Sequence, residues 1–417
     1  MRKLISFLSC LMLLVTLVRS DDKHAREEEA LRRKLMDGYD KYALPDGFTN
    51  ISFTGLDIRA LTLDESNHMM DMEVWFKYTW EDPRLVWKPE EHLNISYLSI
   101  GPDTVWKPDL SIYNAHGAKD LAKHSKVLLL AFPNGKLLHV PWYNIRFTCV
   151  MDLTYWPQDV HNCTLVIGSW VHNGFIMDLV LDNYKVAVPG TNEDTDFVNA
   201  TYSEFTIIDW SVEKLLKYYE CCVEPYPSIC TSFIIKRNAP AYTWTVKLPV
   251  VCMCLLTLVL FMLHPTSGEK VTFGGICLVL NFLLLYYVTN KIGSFAINTP
   301  LIVQLLGVQL VLVMACLFLS AFVVRMAKGP HVYGLPGIFR KGVASLARAL
   351  FLGNFVDPKL SKSEDLEGGT GKVSPHTKVE NSSVCEWVML SAVVDRLSLI
   401  SYLAICIVVL VRFNSVL

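Results

Sequence analysis

Hydrophobic positions fall into two regimes along this chain. From Thr49 to about Ile235 they come in short alternating runs, such as Ile207-Ile-Asp-Trp-Ser-Val212 and Ser232-Phe-Ile-Ile-Lys236. Turn residues such as Pro133-Asn-Gly135 separate the runs. A period of two marks strands with one buried face, so this stretch predicts an antiparallel β-sandwich. About 200 residues suffice for one such core. Beyond it the alternation gives way to continuous apolar segments at Thr243 to Leu263, Val271 to Val288 and Pro300 to Val324. Each is near the ~20 residues that span a bilayer as a helix. A fourth segment, Trp387 to Val411, contains Asp395-Arg396, expected at its inner end where the charges reach water. The predicted fold is an N-terminal antiparallel β-sandwich followed by a four-helix transmembrane bundle.

The flanking segments set the topology. Residues 1–20 read as a secretory signal, with Arg2 and Lys3 before an apolar core and Val18-Arg-Ser20 as the cleavage site. His24 to Asp37 carries charges and leucines at helical spacing, which predicts a short opening helix. Residues 21–240 form the extracellular domain, 241–326 the first three spans, 327–386 a cytoplasmic loop, 387–412 the fourth span and 413–417 an extracellular tail. Arg325, Lys328, Arg340, Lys341 and Arg348 put the loop inside by the positive-inside rule. Within it, Ile338 to Leu352 reads either as an amphipathic surface helix or as irregular chain. Lys359 to Ser383 is polar and reads as disordered.

Composition agrees with a mixed chain. Of 417 residues 52% are hydrophobic, and the mean hydropathy is +0.32. A formal charge of -2 offers no case for a nucleic-acid partner. Asn50, Asn94, Asn162 and Asn199 begin glycosylation sequons in the extracellular region. The eleven histidines show no cluster at metal-ligand or catalytic spacing, which argues against an enzyme. His68, His161 and His172 read as solvated or core residues.

Twelve cysteines are unevenly spread. Five lie in apolar segments, where the thiol behaves as a small hydrophobe. Cys149 and Cys163 enclose thirteen residues that include Trp156-Pro-Gln-Asp159. Read alone, they could be an ordinary disulfide of a secreted β domain. Tyr219-Glu-Cys-Cys222 and Tyr226 form a second constellation. Read alone, Cys221 and Cys222 could be free or have separate partners.

Together, in this order and ahead of four apolar segments, the motifs resemble the Cys-loop receptors, the pentameric ligand-gated ion channels. The Tyr-x-Cys-Cys-x-x-x-Tyr segment resembles the loop that closes over agonist in alpha-type nicotinic acetylcholine receptor subunits. The resemblance implies disulfides Cys149–Cys163 and Cys221–Cys222. The first would constrain the unfolded chain by about 3 kcal/mol. The Trp106 to Asn114 segment resembles the first agonist-binding loop, with Tyr113 as its contact, and Gly168-Ser-Trp170 the second, with Trp170. With Tyr219 and Tyr226 they make the principal face. Trp75-Phe-Lys-Tyr-Thr-Trp80 resembles the complementary face, with Trp80 as its contact and Leu138 and Val140 as apolar neighbours. A quaternary ammonium offers no proton for a hydrogen bond, so aromatic faces hold it, at roughly 0.5–2 kcal/mol per ring. Any one of these rings alone reads more readily as core.

In the second segment, Gly268-Glu-Lys270 resembles the inner mouth of cation-selective members and lacks the Pro-Ala insertion of anion-selective ones. Glu269 would form a carboxylate ring. Thr272, Ile276, Val279, Leu283 and Tyr287 fall on the face that lines the pore in the family. Val279 stands where leucine is usual, Ile276 replaces a small polar residue, and Tyr287 is bulky. Glu65 and Arg237 resemble the ion pair beneath the sandwich, and Trp156, Pro157 and Asp159 the loop tip that couples binding to the pore. The resemblance therefore implies a multi-pass plasma-membrane channel subunit at a synapse, in a homo- or hetero-pentamer, surrounded by lipid, passing cations and gated by acetylcholine or a related amine. It implies no cofactor and no metal. The alternative is a ligand-binding or assembly subunit that needs partners and contributes a poorly conducting pore.

Overall fold

The computed structural model describes residues 23–116, 126–187, 200–202, 204–220, 222–238, 240–293, 298–329, 333–352 and 375–415. The expected signal, Cys221, the sequon at Asn199 and the polar stretch 359–374 lie outside them. Two compact units emerge, one of 1–151 with 160–238, the other of 152–159 with 239–417.

The first unit opens with a helix over 23–36, then builds two sheets. One is ordered β3-β5-β6-β2-β1-β9, with β7 (Trp142–Thr148) also on β2. Its long members are β1 (Thr49–Asp64), β2 (Met69–Val86) and β9 (Met177–Ala187), beside β3 (Leu98–Ile100), β5 (Leu129–Ala131) and β6 (Asn134–His139). The other runs β10-β11-β12-β8-β4. It comprises β4 (Leu110–Ile112), β8 (Val160–Ser169), β10 (Ala200–Tyr202), β11 (Phe205–Tyr219) and β12 (Cys222–Arg237). Pairing is antiparallel except between β1 and β9, which run parallel. The alternation does what the sequence predicts: Met70, Met72, Val74, Phe76, Tyr78 and Trp80 of β2 are all buried. The Pro133 to Gly135 turn needs its glycine. Gly135 has φ +82°, and a Cβ there would come within 2.7 Å of the Asp82 carbonyl. Cys149 follows β7 and Cys163 lies in β8, and they are bonded, so the disulfide ties one sheet to the other.

Among the described residues, the second unit holds four helices long and apolar enough to cross a membrane, Thr243–Leu260, Glu269–Ile292, Leu301–Lys328 and Val384–Arg412. The fourth belongs to a longer helix, Pro375–Arg412. Proline suits a first helical turn, and no breaker follows. The end of the stretch expected to be disordered, 375–383, is therefore helical. Of the two readings for Ile338 to Leu352, the helix forms, as Gly337–Ala349, with Ala347 and Leu352 packed on Met389, Ala392 and Val393. Asp395 departs from expectation. It does not reach water; it is 4% exposed and pairs with the fully buried Lys270 at the start of the second span. A buried carboxylate needs such a partner because its lone desolvation is costly.

In the first unit, His139 on β6 lies against Tyr78, 2.8 Å from its hydroxyl. Burial, reinforced by the charge of Lys107, depresses its imidazole from 6.5 to about 4. The folded state thus binds this proton less tightly than the unfolded chain. The resulting stability is complete above pH 6.5 and is lost as pH falls toward 4. A thermal melting series across that window should show an acid-side loss of about 2–3 kcal/mol that His139→Gln removes. Equal acid-side slopes in both proteins would count against this account.

Candidate functional site

Four aromatic side chains gather at the edge of the second sheet. Tyr113 follows β4; its N–H donates to the Val166 carbonyl at 2.9 Å and its hydroxyl to the Ser169 carbonyl at 2.6 Å. Its ring lies against Gly168, where any Cβ would run into it. Trp170 caps β8, edge-on to Tyr113 with ring centres 6.4 Å apart, and is 74% exposed. Tyr219 and Tyr226, on the β11–β12 hairpin, meet edge-on at 5.5 Å. Burial, then the nearby Tyr219, Asp109 and Tyr226, push the Tyr113 hydroxyl up to about 12, so it stays a neutral donor at physiological pH. Lys217 lies 4.9 Å above the Tyr219 ring. Cys222, at the start of β12, is disulfide-bonded.

Asp109 holds this arrangement, and sequence reading missed it. One carboxylate oxygen accepts from Ser169 Oγ at 2.6 Å and lies 2.7 Å from His172 Nδ1. The other accepts the Val171 N–H at 2.6 Å. The turn carrying Trp170 is thus pinned on both sides by charge-assisted bonds. Its only signal in the sequence is a lone acid inside the Trp106 to Asn114 motif.

The opposite sheet carries a second aromatic face, and here the expectation fails. Trp80 is 2% exposed and packs between Tyr78 and Trp106 in the sandwich core. It cannot offer its ring at the surface. Trp75 can: it is 38% exposed and shares a cleft with Val140 and Trp142. Strand parity explains the error, since residues five apart point to opposite faces. Leu138 and Val140 are half-buried.

The ion pair expected between Glu65 and Arg237 is present at 2.8 Å, with the Arg237 side chain fully buried. Glu204 also pairs with Arg237, a partner the sequence did not reveal. In the second unit, Trp156 is fully buried and its ring centre lies 4.8 Å from that of Tyr242, just before the first span. Trp156 and Pro157 are joined by a cis bond, and Asp159 is 2% exposed. The Leu301 N–H, opening the third span, donates to the Thr154 carbonyl at 3.0 Å. Along the second span, Glu269, Thr272, Ile276, Val279, Leu283 and Tyr287 are all exposed, opposite the buried Lys270, Gly274, Cys277 and Asn281. The sequons at Asn50, Asn94 and Asn162 are exposed.

The family described as neurotransmitter-gated ion-channel ligand binding domain matches residues 28–239. The chain belongs to this family. Neuronal acetylcholine receptor subunit alpha-4 of Gallus gallus is 31% identical over 340 residues, covering 79% of this chain and 53% of the relative. Subunit alpha-2 of Mus musculus is 30% identical, over 82% of this chain and 66% of its own length. Subunit alpha-3 of Carassius auratus is 29% identical, over 87% and 70%. The chain spans about half the length of the alpha-4 relatives it matches. Membership of a family of ligand-gated channels sets the enzyme reading aside.

Trp80 and Trp75 can be told apart by stability. Trp80→Ala should cost about 3–5 kcal/mol and lower the melting temperature. Trp75→Ala should stay within about 1 kcal/mol. Melting curves of the purified chain in detergent check both, and equal losses would contradict the assignment of core and surface.

Proposed function

We propose that the chain is a subunit of an acetylcholine-gated, cation-selective channel of the nicotinic receptor type. It sits in the plasma membrane with its ligand-binding domain outside and assembles as a homo- or hetero-pentamer. The observation that carries this reading is the cluster of Tyr113, Trp170, Tyr219 and Tyr226 beside the disulfide-bonded Cys222. Electron-rich rings suit a cation that cannot donate a hydrogen bond. Each subunit supplies this principal face to a neighbour's complementary face, for which Trp75, Leu138 and Val140 are the fitting residues.

Agonist draws the β11–β12 hairpin, with the Cys221–Cys222 pair at its tip, over the site. The disturbance reaches the spans through the Glu65–Arg237–Glu204 group and the loop bearing Trp156, Pro157 and Asp159. That loop is already bonded to the start of the third span through Thr154 and Leu301. The second spans then part, and cations pass Glu269, Thr272 and the apolar ring of Ile276, Val279 and Leu283. Glu269, exposed at the helix start, attracts cations and repels anions.

A second reading, a binding or assembly subunit whose pore conducts poorly, is favoured by Ile276 and Tyr287, large exposed side chains on the pore face. Single-channel conductance of mixed pentamers separates the two.

Trp170→Ala, checked by surface labelling, should raise the acetylcholine concentration for half-maximal current by about tenfold or more. Unchanged sensitivity at normal surface level would contradict the aromatic site.

A further inference from the structure

The Trp75 face already holds a cation of its own. The pairing of β1 with β2 slips between Ile58 and Ala60: Ile58 sits opposite Val74 and Ala60 opposite Glu73. Arg59 is the extra residue of this β-bulge. A bulge re-aims a side chain, and here Arg59 turns onto Trp75, with its guanidinium carbon 4.7 Å from the ring centre. Both residues line one cleft of about 470 Å³ with Glu73, Val127, Val140 and Trp142. Asp57, opposite Trp75 in the register, is engaged by Lys77 at 2.9 Å, and Arg59 is exposed. The nearest ring of the complementary face is thus covered by a guanidinium tethered to the same sheet.

We propose that Arg59 is a specificity-determining residue of the agonist site, a built-in competitor for quaternary ammonium ligands at interfaces where this chain supplies Trp75. The inference rests on the agonist-site reading above. Two cations cannot share one ring face, because they repel and each needs the same negative quadrupole. A ligand ammonium must therefore displace Arg59 from Trp75 or bind against its field. The tether keeps Arg59 at high local concentration, so the competition is always present. Interfaces built from two copies of this chain are consequently less sensitive to ammonium agonists than interfaces that pair its principal face with a complementary face lacking such an arginine.

The test is acetylcholine and tetramethylammonium binding to surface-expressed full-length chain, in whichever pentamer presents its Trp75 face, with surface labelling throughout. Arg59→Gln, which removes the charge and leaves a shorter polar side chain, should tighten binding of both by about 2- to 5-fold. Arg59→Lys should stay near wild type. In a Trp75→Ala background Arg59→Gln should give no gain, since the coupling runs through that ring. No gain from Arg59→Gln, while Trp170→Ala still weakens binding, would overturn this proposal and leave the agonist site standing. A gain that persists without Trp75 would overturn it too, showing a diffuse charge effect. If neither Arg59→Gln nor Trp170→Ala changes binding, the agonist-site reading falls and this inference with it.

Discussion

The bond between Cys149 and Cys163 is the constraint on which the extracellular unit depends. It joins the chain leaving β7, in one sheet, to β8, in the other, with the two α-carbons 5.0 Å apart. β8 then does double duty. It pairs with β12 along most of its length, and its last residues, Gly168 and Ser169, seat Tyr113 and lead into Trp170. Fixing one end of β8 covalently therefore sets the frame in which the aromatic cluster is built. The same bond closes the loop whose tip, residues 152–159, groups with the helical unit.

The candidate agonist site shows a division of labour between rings and the groups that hold them. The rings offer shallow, non-directional attraction, so their value depends on being aimed before a ligand arrives. Tyr113 is aimed by its bond to the Ser169 carbonyl and by the absent side chain at Gly168. Trp170 is aimed by the turn that Asp109 pins, and the exposed ring itself makes few demands on the fold. The chain also supplies its own cations to such rings, Lys217 on Tyr219 and Arg59 on Trp75.

Much of this was legible in the sequence because hydrophobic period and motif order are local properties. The sandwich and the four spans follow from short segments, while the Cys149–Cys163 bond and the Glu65–Arg237 pair, the latter 172 residues apart, followed only from the resemblance to the family. What escaped depends on which way a side chain faces or on partners distant in the chain. Trp80 and Trp75 share a motif, and only strand parity separates core from surface. Glu204 joins Arg237, and Asp395 finds Lys270 across 125 residues, through tertiary packing that no local pattern encodes. Asp109 is, by residue type, one acid among aromatics, and only its bonds to Ser169, Val171 and His172 give it a role. Arg59 turns onto Trp75 through a register slip, which residue type alone does not announce.

The central claim is that amine binding at the aromatic cluster opens a cation pathway lined by the second span. Its most direct test is the reversal potential of acetylcholine-evoked current in voltage-clamped cells expressing the chain, alone and with nicotinic-type partner subunits, as sodium and chloride are replaced in turn. The account predicts a reversal that follows the cation gradients and ignores chloride. A reversal that tracks chloride would contradict it, as would silence in every combination that surface labelling shows to be assembled.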